Sequence, residues 1–208
     1  MRKINLESWN RNQTYLFFKD LDVPRYLVTV NLDVTNFISQ TKRQNHSFYL
    51  SFMHLSMCEL NKIENFRYRI IENDVYLLDS THPSYTDVIE GTEQFKIVTV
   101  DLEDDLISFI SKAKHKSKEQ GSQFIDEKEE QRIDLVYITT FPWAKYTQVS
   151  HAHNLDPKDS IPKLSWGKYE NENGKYMMPF SIEVHHALVD GLHVGKLIQN
   201  IQMKLNSK

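Results

Sequence analysis

One cysteine, Cys58, stands in 208 residues, so the chain cannot close a disulfide within itself, which fits a reducing cytosol. Cys58 lies in an apolar helical stretch, where a thiol packs as a small hydrophobe more readily than it acts as a nucleophile. No apolar run approaches the ~20 residues that span a bilayer. The opening residues, Met1 to Glu7, lack the apolar stretch of a secretory leader. A cytoplasmic protein is expected. Basic charge is not in surplus: the net charge is −3, which gives no electrostatic case for nucleic acid or for an anionic membrane. Internal repeats are absent. What is present is an ordinary globular composition, 40% apolar and 25% charged, with eleven phenylalanines, ten tyrosines and three tryptophans to fill a core. The length suits one domain over residues 1–208. The stretch from Lys112 to Arg132, rich in Lys, Glu and Gln, reads as a solvated helix and loop rather than a boundary.

Periodicity predicts helices from Trp9 to about Asp20, with Ser8 as N-cap, from Asp33 or Thr35 to Lys42, from Phe48 to Ile63, and from Gly191 to Leu205. Strands are expected at Tyr26–Leu32, Arg67–Ile71, Val75–Leu78, Phe95–Val100, Ile133–Thr140, Tyr146–His151 and Tyr176–His186. Glu72-Asn73-Asp74 would turn a hairpin between the second and third of these. Helices and strands mix without strict alternation. The class is therefore α+β, a two-layer sandwich in which helices cover a mixed sheet.

The informative segment is Val184-His185-His186-Ala187-Leu188-Val189-Asp190-Gly191-Leu192-His193-Val194-Gly195, at the end of a strand and the start of a helix. Loops at element ends are where catalytic side chains concentrate. An imidazole, with an ordinary pKa near ~6.5, can take a proton at neutral pH and return it, and a hydroxyl becomes a good nucleophile only as a base removes its proton. A nearby buried carboxylate, Asp190, is tolerable if an arginine pairs with it, and Arg11 is a candidate. His185, His186 and His193 also raise a zinc site. However, neighbouring residues in a strand point to opposite faces, so His185 and His186 share a metal only if the strand breaks, and no cysteine lies nearby. No metal is expected. A catalytic base and a purely structural histidine pair both remain open on these residues alone.

His185-His186-Ala187-Leu188-Val189-Asp190-Gly191 resembles the HHxxxDG signature of the CoA-dependent acyltransferase superfamily. Further segments narrow the resemblance to the chloramphenicol acetyltransferases. These are Trp9-Asn10-Arg11, His46-Ser47-Phe48-Tyr49, Phe66-Arg67-Tyr68-Arg69-Ile70, Leu78-Asp79-Ser80, Glu90-Gly91-Thr92-Glu93-Gln94-Phe95, Pro142-Trp143, Gly167-Lys168-Tyr169 and Met178-Pro179-Phe180-Ser181. The resemblance spans nearly the whole chain. It implies an acetyl-CoA-dependent O-acetyltransferase that confers antibiotic resistance, and a cytosolic homotrimer with active sites between subunits.

Residue by residue, the resemblance makes His186 the general base, its ring held by its own main-chain carbonyl, with His185 structural. Asp190 pairs with Arg11. Thr139 falls where the family has a serine that donates to the oxyanion. Ser165 falls where it has a threonine that holds a water. Tyr169 matches the aromatic on the CoA adenine and Lys168 its neighbour near a phosphate. Phe18, Tyr26 and His151 fall on the acceptor pocket. This sequence departs from the family at Asp87, Val149, His151 and His153, where apolar or aromatic pocket residues are usual. Burying such polar groups unpaired against an apolar drug costs ~1–3 kcal/mol each. For His151 and His153 a solvated strand edge and acceptor recognition both stay open. The expected acceptor is chloramphenicol. The alternatives are the same transfer to another small alcohol or amine, and a trimeric binder that has lost turnover.

Overall fold

A computed structural model describes residues 1–152 and 156–207, and its sheet is organised by the alternation along one long strand near the chain's end. The strands are β1 (Arg2–Lys3), β2 (Arg25–Asp33), β3 (Tyr68–Ile71), β4 (Asp74–Leu77), β5 (His82–Val88), β6 (Phe95–Thr99), β7 (Leu135–Phe141), β8 (Lys163–Gly167), β9 (Glu170–Glu172) and β10 (Lys175–His185). The helices are α1 (Asn12–Phe18), α2 (Thr35–Arg43), α3 (Phe48–Asn61), α4 (Leu106–Gln120), α5 (Glu127–Glu130) and α6 (Gly191–Asn206). The main sheet runs β2-β10-β8-β7-β5-β6, with β9 paired to β10, and a small second sheet runs β1-β4-β3. β5, β7 and β8 are parallel and the other pairings are antiparallel, so the expected mixed sheet is present.

Register separates two faces. Phe180 lies opposite Trp166, Ile182 opposite Leu164, and Leu164 opposite Ile138. All of these are buried. Phe52 of α3 meets Trp166 edge-on at 4.9 Å and Phe180 at 5.9 Å, so the helices cover this apolar face. The other face carries hydroxyls: Thr139, Ser165, Ser181 and Thr29 sit side by side on β7, β8, β10 and β2. Thr29 Oγ1 and Ser181 Oγ are 2.8 Å apart, and Ser181 Oγ also donates to Tyr146 Oη at 3.3 Å.

Most helix starts follow their caps. Thr35 donates N–H and hydroxyl to Asp33 Oδ1 at 3.1 and 2.6 Å, and Leu50 N–H donates to Ser47 Oγ at 3.3 Å. α1 is an exception. Ser8 donates to the Asn5 carbonyl instead of capping, and the helix begins three residues later than expected, after a turn in which Asn12 N–H donates to the Trp9 carbonyl at 3.0 Å. That turn carries Arg11 into the core. Tyr146–His151 is not a strand. Tyr146 bonds Ser181, and His151 Nε2 lies 2.7 Å from Ser165 Oγ, so the apparent alternation marks a loop laid against the hydroxyl-bearing face. α4 and α5 occupy the charged stretch, with Phe109, Ile110 and Ala113 of α4 buried.

Phe52 is fully enclosed among Phe37, Phe48, Trp166 and Phe180. Phe52→Ala is expected to lower stability by about 3–5 kcal/mol, measured by urea denaturation, because the cavity cannot collapse against a rigid sheet.

Candidate active site

β10 ends at His185, one residue short of the expected strand, and His186 opens the tight loop that leads into α6. Leu188 and Val189 N–H both donate to the His185 carbonyl at 3.0 Å, and Asn65 Nδ2 donates to the Leu188 carbonyl at 2.9 Å. Ala187, Leu188 and Val189 are buried, which fixes the loop by packing as well as by hydrogen bonds. Beneath it lies Arg11. Its Nη2 donates to Asp190 Oδ1 at 2.9 Å while Nη1 donates to Oδ2, a two-pronged pair. The same guanidinium reaches the Ala187 carbonyl from Nε and Nη2, and the His186 carbonyl from Nη2, each at 3.3 Å. Hydrogen bonding from Arg11 holds the Asp190 carboxyl below the usual carboxylate range.

The three histidines of the motif have different surroundings. His185 is buried; its Nε2 reaches the Pro157 carbonyl at 2.8 Å and its Nδ1 accepts from Ala187 N–H at 3.2 Å, so the proton sits on Nε2. Burial pushes its pKa down to about 4. His193 Nδ1 accepts from Asp190 N–H at 2.9 Å, and burial followed by Arg11 lowers its pKa.

His186 stacks on Phe18 at 4.0 Å and 7°, with Tyr26 tilted against it at 4.6 Å. Its Nδ1 is enclosed, makes no hydrogen bond among the described residues, and lies 3.7 Å from Asp190 Oδ1. The bond from the ring to its own carbonyl, implied by the resemblance, is not formed; that carbonyl accepts from Arg11 instead. About a third of the side chain is exposed, and Nε2 is neither enclosed nor bonded among the described residues, so the ring presents that edge outward. The Tyr26 hydroxyl is enclosed without a partner among the described residues, and burial pushes its pKa up to about 12.

The remaining expected residues form two further groups. Thr139 and His151 line a cleft of about 220 Å³ with Ser84, Glu130, Tyr137 and Lys163. Ser165 is buried beside it, bonded to His151. Lys168 and Tyr169 line a cleft of about 510 Å³ with Phe48, Thr140, Pro142 and Trp166. Tyr169 packs on Phe48 at 5.3 Å and on Tyr176 at 5.7 Å. A Cβ at Gly167 would lie 2.9 Å from the Tyr146 ring and from Pro179, so only glycine fits this floor. Asp87 borders the Lys168–Tyr169 cleft and accepts a hydrogen bond from Ser117 of α4 on its other side, and it does not line the Thr139 cleft. Val149 is half-buried in the covering loop. His153 lies outside the described residues.

The first group does not meet Thr139 within one chain. Thr139 is level with Ser181, two strands away from β10, and His186 follows five residues later. Strand spacing and rise then separate them by about 20 Å.

Sequence reasoning missed a buried ionic cluster on the same face as Thr139. Arg25 Nη2 lies 2.5 Å from Asp159 Oδ2 and Nη1 lies 3.3 Å from Glu183 Oε1, while Lys163 Nζ is 3.6 Å from Asp159 and 3.7 Å from Glu183. Its one signal was Glu183, a carboxylate in an apolar strand two residues before His185. Cys58 is half-buried on α3, and burial raises its thiol pKa.

This fold is one that solved acyltransferases share. A solved chloramphenicol acetyltransferase superposes with a TM-score of 0.88 at 23% identity, covering 98% of this chain and 100% of the other. The dihydrolipoamide acetyltransferase of Azotobacter vinelandii superposes at 0.67 and 13% identity, over 93% of this chain and 86% of the other, which shows a shared fold. Along the sequence, the model of the family described as chloramphenicol acetyltransferase matches residues 1–202, and the chain belongs to that family. A chloramphenicol acetyltransferase of Klebsiella sp is 28% identical over 201 residues, 96% of this chain and 91% of that one.

His185 gives a pH signature. Between about pH 6.5 and pH 4 the unfolded chain binds a proton at this position and the folded chain does not, so stability falls as pH drops through that window. The effect is about 3 kcal/mol in all. His185→Asn is expected to flatten this part of the stability–pH profile in urea titrations at pH 5 and 7.5; an unchanged slope would contradict the assignment.

Proposed function

We propose that the chain transfers the acetyl group of acetyl-CoA to a hydroxyl of chloramphenicol, with His186 as general base, in a cytoplasmic homotrimer. The observation that carries this reading is the open Nε2 edge of His186, held over an arginine–carboxylate clamp in a chain of this family. With the proton on Nδ1, facing Asp190, the Nε2 lone pair is free to accept.

The acceptor O–H gives its proton to His186 Nε2 as its oxygen bonds to the thioester carbonyl carbon. Thr139 donates to the oxyanion. As the C–S bond breaks, His186 returns the proton to sulfur. Arg11 and Asp190 set the loop that aims the ring and touch neither substrate. Phe18 and Tyr26 wall the ring, and His151 with Ser165 lies at the acceptor side. The cleft lined by Lys168 and Tyr169 suits acetyl-CoA, since an aromatic ring can stack on adenine and an ammonium can face phosphate. No metal takes part in these steps.

The separation of His186 from Thr139 supports assembly: one copy supplies the base and its neighbour the hydroxyl. Exposed Leu16, Phe17, Leu21 and Val23 on and just after α1, the helix that carries Phe18, offer apolar surface for such a contact.

Purified protein with acetyl-CoA and a thiol reagent is expected to release CoA only when chloramphenicol is added. Release with other small alcohols or amines but not chloramphenicol would refute the acceptor, and CoA binding without release would refute turnover. His186→Ala is expected to lose about 10²–10⁴-fold in kcat, and Thr139→Ala about 10²–10³-fold. Co-refolding the two inactive variants should restore part of the activity, because some interfaces then pair an intact base with an intact hydroxyl. A mixture no more active than either variant would argue against a shared site.

A further inference from the structure

The Thr139 cleft contains a carboxylate that the chemistry above does not use. Glu130 ends α5, a four-residue helix with no buried residues, yet its side chain reaches the polar face of the sheet. Its Oε1 accepts from Ser84 Oγ at 2.6 Å and from Thr99 Oγ1 at 3.1 Å. Ser84 and Thr99 are direct partners on β5 and β6, so the carboxylate is fixed by two hydroxyls belonging to rigid strands. Its Oε2 makes no hydrogen bond among the described residues. Ser84 is also level with Tyr137 of β7, two residues before Thr139, which sets Glu130's anchor about 8 Å from the proposed oxyanion donor. A carboxylate only accepts hydrogen bonds, and one pinned through a single oxygen presents the other with fixed geometry.

We propose that Glu130 is a specificity-determining residue: its Oε2 accepts a hydrogen bond from a second hydroxyl of the molecule being acetylated, so that the cleft selects diols over simple alcohols. This rests on the reading of Thr139 and the acceptor side given above. The acceptor is bound at two points: the hydroxyl to be acetylated lies near Thr139, and another, a few bonds along the same molecule, lies at Glu130. Chloramphenicol has this chemistry, with a primary hydroxyl and a second hydroxyl two carbons away. Of the positions that depart from an apolar drug pocket, His151 lines this cleft, where the drug itself is polar.

The test compares wild type and Glu130→Gln with chloramphenicol and with 1-deoxychloramphenicol, which lacks the second hydroxyl, at saturating acetyl-CoA. Glutamine keeps a carbonyl oxygen for Ser84 and Thr99, so the thermal midpoint should stay close to wild type, while its amide group replaces the Oε2 acceptor with a donor. For chloramphenicol KM should rise about tenfold or more with kcat within about threefold, as expected for loss of a charged hydrogen bond in binding. For the deoxy compound KM should be nearly the same in both proteins. Equal changes for the two acceptors, or none for either, would overturn the proposal, since a carboxylate that merely ties α5 to the sheet cannot tell them apart. If wild type acetylates neither compound, the proposed acceptor fails by itself. The role of Glu130 is then read from chloramphenicol binding by calorimetry, where an equal Kd in both proteins overturns it and a weakened one in the variant supports it.

Discussion

The site depends on the pairing of Arg11 with Asp190. The guanidinium is withdrawn from bulk water and the carboxylate is half-buried, which is tolerable because the two-pronged geometry satisfies both and the remaining guanidinium N–H groups reach the Ala187 and His186 carbonyls. One side chain thus ties the first helix to the end of β10 and to the start of the last helix, elements more than 170 residues away from it in sequence. The ring of His186 is oriented less by hydrogen bonds of its own than by this scaffold and by the stacked Phe18 ring. Its Nδ1 is enclosed and its Nε2 open, which is the asymmetry a base needs.

Face separation in the sheet is the second organising fact. Alternation sends Phe180, Ile182 and Val184 to the helices, and Ser181, Glu183 and His185 to the opposite side. The same rule divides His185 from His186. His185 becomes a neutral structural group in a polar, water-poor layer, and His186 remains at the rim. That layer also holds Arg25, Asp159, Glu183 and Lys163, a set of charges that neutralise one another and brace the sheet beside the Thr139 cleft. Chemistry and rigidity therefore share one face, while the apolar core occupies the other.

How much of this was readable in the sequence depended on whether a feature was local. The periodicity of α3 and α6 and the helix start at Thr35 are short-range patterns, and each reads correctly. Lys163-Leu164-Ser165-Trp166-Gly167 does alternate, but β8 is only five residues long and buried on both faces, so its polar side chains meet other protein groups instead of water. Tyr146–His151 alternates for a different reason: a loop drapes its polar side chains onto the hydroxyl row. The start of α1 was misplaced because a long-range ion pair outweighed a local cap. Glu130 was hidden in a run of surface-like charge, since its partners Ser84 and Thr99 lie more than thirty residues upstream and only folding brings them to it.

Gly167 sets how the two sides of the site are free to change. Any side chain there would collide with the Tyr146 ring, and Tyr146 is itself tied to Ser181 in the middle of the sheet. The floor of the Lys168–Tyr169 cleft is thereby locked to the fold, so natural variation cannot reshape it gradually. The opposite cleft is bounded by a covering loop and by the end of a four-residue helix, both of which tolerate exchange. A lineage built on this frame would keep the floor beside Gly167 constant over long divergence while the opposite cleft drifts.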